Sequence, residues 1–244
     1  MAKTSSYAEL AALLLPQLPL IGRVSLLRAL HLSEQAKYLD LQSELAVAVL
    51  RSICMPTERK GIAYIQKYTL RDPGIQGRIW VSNYTCPQPA DDGLQDALLR
   101  AIDGLNDPSN PATAKVTRPG VVPVEAEWTG YRAGAATDAA LPPISERERY
   151  DALQKECTSA TTTLYFHGGA FYMLDPASHR ATAKKLAKLT GGKVYSVRYR
   201  LAPQHPFPAA LLDALVSYFA LLYPPPGAHH EAVQPEHLVL AGDR

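Results

Sequence analysis

The sequence predicts an α/β fold: a mostly parallel sheet with helices on both faces, preceded by a helical region. Two observations carry that prediction. From Val121 onward, short β-prone runs alternate with helical stretches, the order that builds strand–helix–strand units. Among those runs, TTTLYF at 161–166 is uncharged and rich in β-branched and aromatic residues, the composition of a strand covered on both faces. Of the 244 residues, 47% are apolar and 20% charged, which supports a real core and excludes a disordered chain.

Taken in order, the first apolar stretch, 10–15, is broken at once by Pro16 and Pro19. It is too short to span a bilayer and lacks the flanks of a secretion signal, so it reads as a helix of a cap, and no firm membrane association is expected. Residues 33–53 place Tyr38, Leu41, Leu45 and Val49 at three- and four-residue steps, an amphipathic helix that Pro56 ends. RIWVSNY at 78–84 has strand composition, and 92–102 reads as a short helix. Residues 106–120 hold Pro108, Pro111 and Pro119 among Ser, Asn and Thr, the signature of a linker or an exposed crossing loop. Residues 1–120 are therefore expected to form a mostly helical cap or variable region, and 121–244 the sheet-bearing region.

In the second region, 122–131 alternates Glu125 and Glu127 with Val124, Ala126 and Trp128, so one face reads as wet and the strand as lying near an edge. Ser145 and Glu148 form a capping box that opens a helix running to Cys157. On that helix Asp151 and Lys155 stand four apart, an ion pair worth about 0.2–0.5 kcal/mol. Asp175 and Pro176 supply an N-cap and a first-turn proline for a helix over 177–190, stopped by Gly191 and Gly192. KVYSVRY at 193–199 is the next strand. Residues 207–222 are apolar nearly all round, apart from Asp213 and Ser217, so they form a helix packed deep against the sheet. Pro224, Pro225 and Pro226 end it, and HLVLA at 237–241 is the last strand.

Several function classes fall away on composition. The 25 Lys and Arg against 23 Asp and Glu give a net charge of +2 with no dense basic block, so nucleic acid is not an expected partner. Cys54, Cys86 and Cys157 are odd in number and widely spaced, which supports neither a disulfide framework nor a zinc site and fits a reducing, cytoplasmic setting. His229, His230, Glu231 and His237 match no zinc spacing and read as a polar loop; no metal and no cofactor are expected. Ser178 and His179 are neighbours on a helix and are expected to point in different directions, which argues against a makeshift triad.

The chemistry is concentrated after the buried strand, at His167-Gly168-Gly169-Ala170. Acyl transfer builds negative charge on a carbonyl oxygen, and backbone amides on a glycine turn can be aimed at that charge in advance. Alone, the motif is weak evidence and reads more simply as a tight turn after a strand. Around it stand Tyr199-Arg200-Leu201-Ala202-Pro203, then Phe207-Pro208-Ala209, and finally Gly242-Asp243. This order resembles the hormone-sensitive-lipase-like family of α/β-hydrolases, with its His-Gly-Gly-Gly turn, its Tyr-Arg-Leu-Ala-Pro segment and its Gly-Asp-Ser-Ala-Gly nucleophile turn. The resemblance covers about 121–243.

The resemblance implies a carboxylic ester hydrolase acting on a small-molecule ester. It assigns the amides of Gly168 and Gly169 to the oxyanion hole and places His167, Ala170, Phe171 and Tyr172 around the substrate. Phe171 and Tyr172 have two open readings, lining the acyl pocket or packing the loop. Arg198 and Arg200 are expected to anchor their loop on backbone carbonyls, with binding of a substrate carboxylate as the alternative. Ala170 stands where the family usually has a third glycine, and Arg244 where it has the nucleophilic serine. In this fold the acid and the histidine follow the serine. The chain is therefore expected to be a C-terminally truncated, incomplete α/β-hydrolase sheet without turnover, with its last strand left at an edge open to self-association. The competing expectations are a non-catalytic small-molecule binder and a regulatory fragment of the same fold.

Overall fold

A computed structural model describes residues 15–54, 61–105 and 116–243. Most of the 10–15 stretch, Pro56, most of the 106–120 linker and Arg244 lie outside the described residues. By its contacts the chain divides into two compact units, Met1–Ile65 and Gln66–Arg244.

In the first unit, α1 (Leu18–Ala29) packs against α2 (Leu41–Cys54). The amphipathic pattern read over 33–53 divides in two. A 3-10 turn (Glu34–Lys37) comes first, and Asp40 then accepts the Ser43 amide at 2.7 Å, starting α2 at Leu41. Arg28 joins the helices by donating to Glu44 at 2.7 Å.

The second unit holds a five-stranded sheet of order β1-β2-β4-β3-β5, made of β1 (Ile79–Cys86), β2 (Val124–Tyr131), β3 (Thr162–Phe166), β4 (Lys193–Arg198) and β5 (Leu238–Gly242). Strands β4, β3 and β5 run parallel, whereas β1–β2 and β2–β4 pair antiparallel, so the sheet is mixed. The sheet thus reaches back to residue 79, and the contact boundary at 65/66 differs from the division read at residue 120.

Strand β2 is second in the sheet, next to the edge strand β1, but its supposed wet face is not uniformly wet. Glu125 is exposed, but Glu127 is fully buried. What makes that tolerable is paired cation: Arg180 donates to Glu127 at 2.8 and 2.7 Å and Arg198 at 3.1 Å. Opposite polarity on the other face comes from an aromatic core, where Trp128 meets Tyr150 and Tyr195 edge-on at 5.1 and 4.7 Å between centroids.

The helices follow the sequence signals closely, with local differences. Helix α5 (Glu146–Glu156) starts at the Ser145–Glu148 capping box. Asp151 pairs with Arg147 at 3.1 Å rather than with Lys155, so the favoured cation is the one on the N-terminal side. The helix read from residue 177 opens as a 3-10 turn, Pro176–His179, before α6 (Arg180–Thr190), because the Asp175 side chain caps the Ala177 amide at 2.8 Å. Gly191, at φ +68°, ends it. Helix α7 (Ala209–Leu222) is buried as expected, and its inward Asp213 is satisfied by Arg200. The remaining helices are α3 (Ile62–Thr69) and α4 (Gly93–Gly104).

Candidate active site

The chain leaves the carboxyl end of β3 into His167, the position where parallel α/β sheets gather their functional loops. The turn that follows is unusual backbone: Gly169, Ala170 and Phe171 take φ of +117°, +51° and +61°. At Gly169 this conformation needs glycine twice over, since a Cβ there would stand 2.1 Å from the Met173 carbonyl oxygen. Tyr172 and Met173 both donate their amides to the Gly169 carbonyl at 3.1 Å, closing the turn.

Neighbouring elements hold the turn from several sides. The Tyr199 ring stacks on the His167 ring at 4.3 Å and 13°, and its hydroxyl donates to the His167 carbonyl. His167 is 4% exposed, burial pushes its pKa down, and its Nδ1 lies 2.8 Å from the Gly168 carbonyl. Gln66, on α3, donates to the carbonyls of Tyr172 at 2.8 Å and Ala202 at 3.0 Å. Sequence reading gave Gln66 no role, and a lone glutamine carries no signal that could have found it.

The tightest contact comes from the end of β5. Asp243 accepts the Gly168 amide at 2.8 Å and the Tyr165 hydroxyl at 2.6 Å on one oxygen, and His179 Nε2 at 3.1 Å on the other. Burial raises the Asp243 carboxyl, but these donors outweigh it and hold the group below its usual range. Burial and the Asp243 charge push the Tyr199 hydroxyl up to about 12.

Ser178 and His179 do not point apart. The Ser178 hydroxyl lies 2.9 Å from His179 Nδ1, so serine, histidine and Asp243 form a line of hydrogen bonds. It is a structural line: Ser178 also donates to the Asp175 carbonyl at 2.6 Å as part of the cap, and neither it nor His179 lines the cavity.

That cavity, about 610 Å³, lies between the glycine turn and α7. His167, Gly168, Gly169, Ala170 and Phe171 line it, and Ala210, Leu211 and Ala214 supply its apolar wall. Tyr172 is not among its lining residues; its carbonyl is the Gln66 acceptor. Of the turn amides, Gly168 N–H is committed to Asp243, while those of Gly169 and Ala170 find no acceptor among the described residues.

Arg198 and Arg200 are anchors, but chiefly on carboxylates. Arg198 binds Asp175 at 2.7 Å, Glu125 at 2.9 Å and Glu127 at 3.1 Å. Arg200 binds Asp213 at 2.8 Å and reaches a backbone carbonyl only at Gly120, 2.9 Å away. With both forks filled from within the protein, neither is presented to a substrate carboxylate.

A family model of the alpha/beta hydrolase fold matches residues 163–244. Over 79 residues the chain is 42% identical to Esterase LipI of Mycobacterium tuberculosis (strain ATCC 25618 / H37Rv), covering 32% of this chain and 25% of that protein. It is 38% identical over 82 residues to an acetyl-hydrolase of Streptomyces hygroscopicus, 34% of this chain and 25% of the relative. A solved esterase of the bacterial hormone-sensitive lipase family superposes with a TM-score of 0.41 at 20% identity, over 79% of this chain and 44% of the other. The chain spans about a quarter of the length of these two curated relatives.

Proposed function

We propose, because this chain belongs over residues 163–244 to the hormone-sensitive-lipase-like α/β-hydrolases, that the cavity beside the glycine turn is the acyl-binding and oxyanion half of a carboxylic ester hydrolase site. One observation carries the reading: two unspent amides, Gly169 and Ala170, on a conformationally fixed turn at an apolar cavity. An oxyanion formed there would meet donors already oriented, each worth about 3–4 kcal/mol in the transition state. The donor pair expected from the sequence, Gly168 and Gly169, becomes Gly169 and Ala170, with Gly168 as the anchor that fastens the turn to Asp243. His167 and Phe171 line the acyl side, and a cavity of about 610 Å³ suits a small ester.

At position 244 this chain has arginine where the family has its serine. A guanidinium stays protonated and does not attack a carbonyl, so the chain as given is proposed to bind acyl groups without turning esters over, as a small-molecule-binding form of the fold. The free thiols Cys86 and Cys157 support a reducing, cytoplasmic setting, and no described helix is long and apolar enough to cross a membrane. The test pairs two measurements. Saturable shifts of the Gly169 and Ala170 amides on adding p-nitrophenyl butyrate, with no p-nitrophenol release above buffer, are expected. Release that Gly169→Val abolishes would overturn the inactive assignment, and absence of any saturable shift would overturn the site.

A further inference from the structure

A second cavity, about 420 Å³, lies at the opposite end of the sheet, where Thr162 begins β3, Lys193 begins β4 and His237 precedes β5. Its composition differs from that of the first: Lys193, Thr162, His229, Gln154 and Gln234 all face it. Lys193 is 7% exposed, yet no carboxylate or carbonyl among the described residues accepts from its ammonium, which lies over the Trp128 ring at 6.0 Å from the centroid and near the Cys157 thiol. Thr162 is fully buried and its hydroxyl finds no partner among the described residues, and His229 Nδ1 is likewise buried without one among them.

Buried polar groups in folded proteins find partners, and an uncompensated buried cation is among the costliest exceptions. Two such atoms, beside an ammonium that meets no anion among the described residues, point to an acceptor that enters the cavity they line. Thr162 and Lys193 are register partners on adjacent parallel strands, so both side chains leave the same face of the sheet, about 5 Å apart at the backbone. That spacing lets the two oxygens of one carboxylate meet the ammonium and the hydroxyl together.

We infer that this cavity is a binding site for a short-chain aliphatic monocarboxylate, held by Lys193 and Thr162. The charge is set by the surroundings. Arg147, which also lines the cavity, is already engaged with Asp151 at 3.1 Å and with the Ala228 carbonyl at 3.1 Å, so among the described residues Lys193 is the lysine or arginine of the lining without an anionic partner. The carboxylates of Asp151 and Glu231 on the lining repel a dianion such as phosphate more than a monoanion. Ala232 and Val233 offer an apolar wall to the tail, and the volume exceeds what acetate fills. Burial also lowers the Lys193 pKa, which an anion beside it would offset.

The test is a titration of the 244-residue chain with sodium butyrate, acetate and inorganic phosphate at constant ionic strength, followed by amide NMR. Saturable shifts at Thr162 and Lys193 are expected, strongest with butyrate and at least about tenfold weaker in Lys193→Met, with Thr162→Val losing a few-fold. Lys193→Met should melt no lower than the parent, because it removes an unpaired ammonium. Shifts confined to Gly169 and Ala170, an unchanged response in Lys193→Met, or tighter binding of phosphate would each overturn the assignment. So would a Lys193→Met variant that melts several degrees lower, since the lysine would then have a partner within the protein.

Discussion

Replacing Glu127 should damage this fold more than any other single loss of charge. Its carboxylate is fully buried in the middle of β2 and takes three donors, two from Arg180 and one from Arg198. Glu127→Ala leaves the Arg180 guanidinium, itself 8% exposed, with the Gly74 carbonyl and one carboxylate, that of Asp72, whose side chain is 56% exposed. Removing one partner of a buried pair costs about 3–5 kcal/mol, because the other charge stays behind undischarged. For a domain of this size that is a fall in Tm of roughly 6–20 °C. Glu127→Gln keeps one acceptor oxygen and should cost about half as much. Urea unfolding with both variants reads the difference directly. A loss below about 1 kcal/mol for Glu127→Ala would refute the reasoning, since the cluster would then be behaving like a solvated surface pair. So would equal losses for the two variants, which would assign the effect to packing alone.

Three further outcomes follow from the same geometry. Asp243→Asn should speed exchange of the Gly168 amide about fivefold, because the Asp243 side chain is 43% exposed and its charged bonds sit at the low end, ~1 kcal/mol; unchanged exchange by NMR would count against the anchor. The Asp243 carboxyl is depressed below its usual 3.8, so its contribution is whole above that pH and lost as pH falls through the lower folded value; Gly168 protection should hold at about pH 5 and fade toward pH 2. Leu240 is 62% exposed on β5, whose outer edge is unpaired among the described residues; if that edge pairs with a second copy, sedimentation velocity of the parent should depend on concentration and Leu240→Lys should weaken that dependence, and no dependence in the parent or an identical one in the variant would remove β5 as a contact.

Where a signal is local and repeated along the chain, it was readable before any coordinates. The Ser145–Glu148 box, the Asp175-Pro176 start and the Gly191 stop each depend on bonds within four residues, and each appears where the pattern places it. The resemblance located the glycine turn in the same way, through motif order. What failed was every inference about which distant group answers a charge. Glu127 looked solvent-facing because its alternation with Ala126 and Trp128 is that of a wet strand; only the arrival of Arg180 and Arg198 from other elements buries it. Ser178 and His179 were expected to diverge by helical geometry, yet they lie on a 3-10 turn, where cap bonds fold both side chains back. Gly168 was assigned to the oxyanion hole because nothing in its neighbourhood reveals a carboxylate 75 residues later.

These misses belong to one chain of bonds, and the chain explains how the turn is held. Glu127 fixes Arg198, Arg198 fixes the Asp175 carboxylate, and Asp175 caps the 3-10 turn that carries Ser178 and His179. His179 places Nε2 3.1 Å from Asp243 and Nδ1 2.9 Å from the hydroxyl of Ser178, whose one proton goes to the Asp175 carbonyl. Asp243 then takes up the Gly168 amide, while Gly169 and Ala170, whose amides find no acceptor among the described residues, line the cavity beside it. The final link should therefore depend on the donor at His179 Nε2 rather than on an aromatic ring: Gln, which offers an amide at a similar reach, should preserve Gly168 protection where Phe does not. If Phe preserves it equally, the stacking of His179 on His167 at 5.6 Å, and not the hydrogen bond, holds the turn.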